Sequence, residues 1–568
     1  MKFASFKYER PQLDQVKEQF YQAIHQIKEA TSLEALKEAI QAVRHIQNNL
    51  ATQGTLCSIR HSIDTKDDFY SQETDFWDEH YPLIANWEKD YYQAVLENEL
   101  SQSLKGDFLP EPFFAIAENQ LRTNSEAVIP LLQEENRLVS EYGKLKASAE
   151  IEFKGQVYNL SSIGAFTQSA DRLERKEAFE KISAWYQKHQ DDFDRIYDQM
   201  VKVRHEIAKK LGFKDFVELG YARMLRLDYD RQDVERYRQE VIKYVVPLAE
   251  KLVQAQKERL NLDHLAYYDL GLMFPKGNAN PSGTSQEIVD KAQTMYHELS
   301  KETGEYFDFM RSGDLLDLES KPGKDTGGYC THLPNYKAPF IFANFNGTSH
   351  DVEVLTHEAG HGFQVYSSMW IETPEVVWPT YETCEIHSMS MEFLTWPWME
   401  NFFQESTTKF KYQHLAGALM FIPYGCLVDH FQHEVYEHPE WTPQERRQAF
   451  RRLEKIYNPW IDYEGNDFYE QGGLWFKQLH IFTMPFYYID YTLAQVCAFQ
   501  FWKRDHVDHD SKTWEDYVRI CRLGGTKTFT QVVAAANLKS PFEPGNLEET
   551  VASIDQYLSA VDPQALLK

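Results

Sequence analysis

The chain has 568 residues, 42% of them hydrophobic and 14% aromatic, enough for about two to four structural units with ample cores. Its net charge of −28 argues against a nucleic-acid partner, because binding a phosphate backbone needs clustered Lys and Arg. An anionic membrane surface is disfavoured for the same reason.

The first residues, Met1 to Pro11, contain no apolar stretch of the kind a secretory signal needs. No uninterrupted apolar run approaches the roughly 18 residues of a membrane helix. Cys57, Cys330, Cys384, Cys426, Cys497 and Cys521 are scattered without a C-x-x-C pair, so they read as free thiols in a reducing compartment. A cytoplasmic location is expected.

Residues 12–150 read as successive amphipathic helices without a fixed repeat. Thr31-Ser32-Leu33-Glu34 reads as a capping box that pairs Thr31 with Glu34. Leu33, Leu36, Ile40, Val43 and Leu50 then follow helical spacing. Residues 75–96 repeat the pattern with Phe76, Trp77, Leu83, Ile84, Trp87 and Tyr91, and Pro82 is expected to kink or split that helix. These rings read as core. Residues 151–165 alternate at period two around Gly155, which predicts a small hairpin. It marks the expected seam between an N-terminal helical region, residues 1–150, and a catalytic region, residues 151–568.

Helices resume near Asp171, and residues 204–213 read as a helix closed by Gly212. Residues 275–285 form the clearest loop, after which Thr284 and Glu287 open a helix with a capping box. Residues 321–328 superficially resemble a phosphate loop, but Asp325 follows Lys324 where Ser or Thr is required, so they read as a turn. Residues 338–348 are apolar and aromatic, begin beside Pro339 and end at Asn346-Gly347. They read as a strand at a sheet edge, where an extended peptide can be held by main-chain hydrogen bonds. Phe342, Asn344 and Gly347 are the candidate peptide contacts on it. A purely structural hairpin is the alternative.

The stretch that carries chemistry follows. His357-Glu358-Ala359-Gly360-His361 lies between apolar positions within a plausible helix opened by Asp351 and Glu353. Residues four apart share a helix face, so both imidazoles can meet at one point, as two zinc ligands do. Glu358 lies about 100° around the helix, placed to act as general base on a water at the metal. The bland alternative is a solvated face carrying two unrelated histidines. A catalytic zinc needs a third protein ligand, and a second helix over residues 380–400 offers Glu382, Glu385 and Glu392. Periodicity leaves all three open.

Gly327-Gly328-Tyr329-Cys330, Pro339-Phe340-Ile341, Asn346-Gly347-Thr348, Asp351-Val352, the His-Glu-Ala-Gly-His motif and Glu385-Ile386-His387-Ser388 occur in an order that resembles the thimet-type M3 zinc metallopeptidases. The closest likeness is to the oligoendopeptidase F and Pz-peptidase branch. The resemblance covers roughly residues 200–540, from Arg204–Phe213 to Gly524-Gly525-Thr526; the first 150 residues match only as a helical region. It implies a mainly α, two-lobed zincin-type fold with a small β-sheet beside the motif helix and a deep substrate channel. It further implies one Zn2+ per chain and Glu385 as third ligand, since that family uses a Glu in an E-x-x-S context about two dozen residues past its H-E-x-G-H motif.

The resemblance also implies that a His and several Tyr across the cleft hydrogen-bond the substrate and the tetrahedral intermediate. Residues 480–491 fit, with His480, Tyr488 and Tyr491 as catalytic donors and Tyr487 as a peptide contact. The implied activity is cleavage inside short oligopeptides. A zinc aminopeptidase would carry a G-x-M-E-N-like stretch and a shorter gap to the third ligand, and a pure peptide binder would have no need of Glu358. His430, His433 and His438 with Asp429 and Glu434 form a decoy cluster without a completing motif, and no second Glu-x-x-His supports a di-iron bundle.

Overall fold

The computed structural model describes residues 1–106 and 108–567, and helices dominate them. In the N-terminal region, helices Leu13–Glu29, Leu33–Ile63, Asp68–Glu97 and Glu111–Thr123 turn their apolar stripes inward. Phe20, Ile24, Leu36, Ile40, Trp77, Trp87 and Tyr91 meet in one buried cluster separate from the main core. Helix Ile129–Ala147 instead buries Leu138 and Tyr142 in the main core.

Two local expectations need correcting here. Ser32, not Thr31, caps the second helix: its backbone is extended and its side chain accepts the Ala35 amide hydrogen at 3.3 Å. Pro82 neither ends nor splits its helix, which runs from Asp68 to Glu97. Pro82 is itself buried within the helix, and tertiary packing outweighs one missing backbone bond.

The hairpin forms as expected. Strands β1 (Ile151–Phe153) and β2 (Gln156–Tyr158) pair antiparallel across Lys154 and Gly155, both at positive φ, as tight two-residue hairpin turns require. Helix Gln190–Lys210 ends where Gly212, at φ +83°, lets the Phe213 amide reach back to the Ala208 carbonyl at 2.9 Å. Thr284 and Glu287 form a capping box.

The second sheet has three strands, β3 (Leu316–Glu319), β4 (Tyr329–Leu333) and β5 (Ala338–Phe345), in the order β3-β5-β4. The strand expected at the edge, β5, is therefore the central one, parallel to β3 and antiparallel to β4. Its main chain is taken on both sides. The Phe342 ring is fully buried and stacked on Tyr329 at 4.8 Å, and the Asn344 amide donates to the carbonyls of Asp325 and Gly327, each at 2.9 Å. The Gly347 amide donates to Asp351 at 2.8 Å. These three residues build the sheet and the start of the motif helix; β4 supplies the edge. Residues 321–328 are the turn between β3 and β4, pinned by Lys324 on the carbonyls of Asp317, Glu319 and Ala343.

One buried ionic knot fixes the segment that carries His480. Glu135 receives Arg204 at 2.6 Å and Arg223 at 2.9 Å, while Arg204 also donates to the Tyr436 hydroxyl and the carbonyls of Ile481 and Phe482. Burial would raise the Glu135 carboxyl, but Arg223 and Arg204 outweigh it and hold it at about 2. The folded value lies below the unfolded one, so this stabilisation is full above about pH 4.5 and is lost as pH falls toward 2. Glu135→Gln leaves the buried Arg204 and the half-buried Arg223 without their carboxylate and is expected to cost about 3 kcal/mol or more at pH 7. The cost should shrink in acid, which urea unfolding at pH 7 and pH 3 would measure.

Candidate active site

The motif helix spans His350–Ser368 and the ligand helix spans Tyr381–Leu394. They approach so closely at Gly360 that a Cβ there would lie 2.7 Å from the His387 carbonyl oxygen and from the Ser388 Cα. This contact explains the glycine inside the motif. Gly360→Ala would force the two helices apart, and overpacking of this kind costs about 1–3 kcal/mol. We expect a lowered unfolding temperature together with weakened metal affinity; an unchanged affinity would separate the contact from ligand placement.

Closeness brings the donors together. Glu385 Oε2 lies 3.2 Å from His357 Nε2 and 3.4 Å from His361 Nε2. Ligands at about 2.0–2.1 Å in a tetrahedral shell stand roughly 3.3–3.4 Å apart, so the donor set fits zinc. Among the described residues, no other three His, Cys, Asp or Glu side chains converge in this way. The electrostatics agree. Burial would lower the His357 imidazole, but Glu385 and Glu392 on either side raise it well above its ordinary value, so this point favours positive charge, as a divalent cation supplies. Burial would raise the Glu385 carboxyl, and His361 and His357 instead hold it well below the usual range.

The three glutamates now separate. Glu385 faces both histidines, with Ser388 Oγ donating to its Oε2 at 2.8 Å. Glu392 stands behind His357: its Oε1 is 2.7 Å from His357 Nδ1, and its Oε2 is 2.7 Å from His414 Nε2. Trp396 Nε1, a donor only, reaches His414 Nδ1 at 3.0 Å, so His414 carries its proton on Nε2 and donates to Glu392. Glu392 in turn accepts from His357 Nδ1, leaving His357 Nε2 free as a ligand. Glu382 is buried elsewhere, where burial and Asp490 raise its carboxyl well above the usual range.

Glu358 is 6% exposed, and its Oε2 has no protein partner. Burial raises its carboxyl, opposed by His357 and His361. Gly328, just before the edge strand β4, runs beside it: a Cβ there would sit 3.4 Å from Glu358 Oε1.

Opposite lies the segment 480–491. A cavity of about 480 Å³ is lined by His357 on one side and by His480, Tyr488 and Tyr491 on the other. Tyr491 Oη is 3.4 Å from His480 Nε2. Tyr487 differs from expectation: its hydroxyl donates to Glu385 Oε1, so it steadies the carboxylate that faces the two imidazoles rather than standing free for a peptide. The turn before these tyrosines is held in an uncommon conformation, with Phe486 at φ +69°. Its amide donates to Gln432 Oε1 at 3.0 Å and its carbonyl accepts from the buried Arg226, which fixes the turn on both sides. Burial raises the phenols of Tyr488 and Tyr491, so both keep their protons near neutrality and remain donors.

The decoys disperse. His430 Nδ1 meets the Tyr457 hydroxyl at 3.1 Å, His433 Nε2 meets that of Tyr221 at 3.0 Å, and His438 stacks on Trp441. His387 is fully buried beside Tyr517, a structural position. Among the side chains that hydrogen-bond these donors, Glu392, Ser388 and Tyr487 carried a sequence signal; His414 and Trp396 had none.

A helix bearing His-Glu-x-x-His, joined by a Glu from the next helix at tetrahedral spacing, defines a metallopeptidase site. The model of the peptidase M3 N-terminal domain matches residues 3–124, and that of peptidase family M3 matches residues 165–551. The chain belongs to peptidase family M3, a family of metalloendopeptidases, in its oligoendopeptidase F and Pz-peptidase branch. A structure of Pz peptidase A with an inhibitor is 50% identical, with a TM-score of 0.97 and coverage of 99% of this chain and 100% of that one. An oligoendopeptidase F homolog of Borreliella burgdorferi is 22% identical, covering 70% of this chain and 69% of its own length. The oligoendopeptidase F of Enterococcus faecium, 15% identical with a TM-score of 0.63 over 98% of each chain, shares the fold. Among the described residues no helix is long and apolar enough to cross a membrane, and the six cysteines are unpaired.

Proposed function

We propose that this chain is a zinc-dependent endopeptidase that hydrolyses internal bonds of short oligopeptides, with Glu358 as general base. The observation that carries the reading is the convergence of His357, His361 and Glu385, with Glu385 Oε2 3.2 Å and 3.4 Å from the two imidazole Nε2 atoms, beside the unpartnered Glu358 Oε2. When bound, zinc supplies Lewis acidity and lowers the pKa of a water to about 7. His357, His361 and Glu385 would hold it, with Glu392 and Tyr487 orienting two of these side chains.

Glu358 Oε2 takes a proton from the attacking water and delivers it to the leaving amine nitrogen. The hydroxyls of Tyr488 and Tyr491 and the imidazole of His480, all facing the cavity, donate to the oxyanion of the tetrahedral intermediate; one such donor is worth about 10²–10³ in rate. The peptide main chain docks along the free edge of β4, whose approach at Gly328 passes Glu358. A two-lobed enclosure with a deep channel would restrict access to oligopeptides, and peptide turnover in the cytoplasm is the role that fits.

The test incubates metal-replete protein with an internally quenched peptide of about ten residues and with a dipeptide reporter bearing a free amino terminus. Each is run with and without chelator, and mass spectrometry locates the cuts. Chelator-sensitive internal cleavage with the dipeptide untouched supports the reading. Stepwise removal of amino-terminal residues, or no cleavage despite bound zinc, overturns it.

A further inference from the structure

Resting on the proposed donor role of His480, we infer that Gln478 is a positioning residue that locks His480 in its Nε2–H tautomer and so aims a hydrogen-bond donor into the cavity. The lock is a chain of three groups. The Gln478 carbonyl oxygen Oε1 faces Tyr424 Oη, which donates to it at 3.0 Å. A carboxamide oxygen only accepts, so the amide nitrogen must face the other way. It lies 2.9 Å from His480 Nδ1 and has only hydrogens to offer. Nδ1 therefore accepts, and the single proton of the neutral ring sits on Nε2, the atom directed at Tyr491 Oη. Gln478 is 9% exposed, so the contact to His480 is held in a largely buried setting.

The charge environment agrees with a neutral ring. Burial pushes the His480 imidazole down to about 4, against the attraction of Glu385 across the cavity and with the repulsion of Lys146 from helix Ile129–Ala147. Tyr487, Tyr488 and Tyr491 complete the titratable groups around it. A ring that is neutral and has the wrong tautomer would point a lone pair at the oxyanion. The tautomer therefore decides whether His480 helps or hinders.

Gln478→Glu and Gln478→Leu separate the possibilities. A carboxylate at this position accepts from Nδ1–H, so the neutral ring of Gln478→Glu turns its Nε2 lone pair to the cavity. We expect kcat to fall about 10²–10³-fold at pH 7.5, with KM within about threefold and zinc content unchanged. Imidazolium carries hydrogens on both nitrogens, so the ratio of the Gln478→Glu rate to the wild-type rate should rise as pH falls through the His480 pKa, which the new carboxylate raises. Gln478→Leu, which removes the lock without imposing the other tautomer, should lose less and show no such rise.

Nitrogen NMR of histidine-labelled holoenzyme, with His480→Gln to assign the signal, reads the tautomer directly. An Nδ1–H tautomer in the wild type overturns the inference whatever the kinetics, as does a Gln478→Glu enzyme with wild-type kcat. Full activity of His480→Gln would sink the donor role itself, while the NMR would still report the lock.

Discussion

Glu358→Gln is expected to lower kcat by about 10²–10⁴-fold while leaving one zinc per chain in place. The substitution conserves size, and Glu358 Oε2 has no protein partner to lose. What disappears is basicity: a carboxamide cannot take the water's proton or return it to the leaving nitrogen. The ligand atoms on His357, His361 and Glu385 are untouched, so metal analysis of the purified variant should match the wild type. Metal-replete Glu358→Gln with the parent rate would remove Glu358 from the mechanism. Loss of metal together with rate would give it a ligand or structural role instead.

The three glutamates of the ligand helix should part company in the same assays. Glu385→Ala removes one of three protein ligands and should abolish stable zinc binding, with activity returning, if at all, only at high added metal. Glu392→Gln keeps the ligands but disturbs the carboxylate that accepts from His357 Nδ1 and His414 Nε2; such partners are typically worth about 10–100-fold in metal affinity or activity. Glu382→Gln should leave metal content unchanged, since its side chain lies with Arg226 and Asp490. Equal zinc loss in Glu382→Gln and Glu385→Ala would contradict the ligand set.

These residues also mark where sequence reading ends. The pairing of His357 with His361 is a local matter, because a helix returns to the same face after four residues whatever surrounds it. The same holds for the amphipathic stripes of the N-terminal helices, the Lys154-Gly155 hairpin and the closure at Gly212. Periodicity could not choose among Glu382, Glu385 and Glu392, since the choice depends on how the ligand helix is rotated against the motif helix. The Gly360 contact sets that rotation. Family resemblance selected Glu385, and its Oε2 lies 3.2 Å and 3.4 Å from the two imidazoles.

Strand order was beyond local reading for a related reason. Residues 338–345 have the composition of a strand wherever they pair, but β3 and β4, which flank them, enter from separate segments and make β5 central. The edges of this sheet are β3 and β4. Tyr487 was grouped with its neighbours by proximity in sequence, yet the turn at Phe486 sends its hydroxyl to Glu385 and leaves Tyr488 and Tyr491 at the cavity.

By itself, then, the sequence determined the helical class, the helix that carries His357, Glu358 and His361 on adjoining faces, and the family, because each depends on short-range spacing or on motif order. Only the tertiary structure decided which strand is central, where each glutamate lies, and which side chains, Trp396, His414, Tyr424 and Gln478 among them, form the hydrogen-bond chains around the imidazoles. Hydrogen bonds between side chains remote in sequence leave no periodic trace along the chain, and they exist only once the helices have packed.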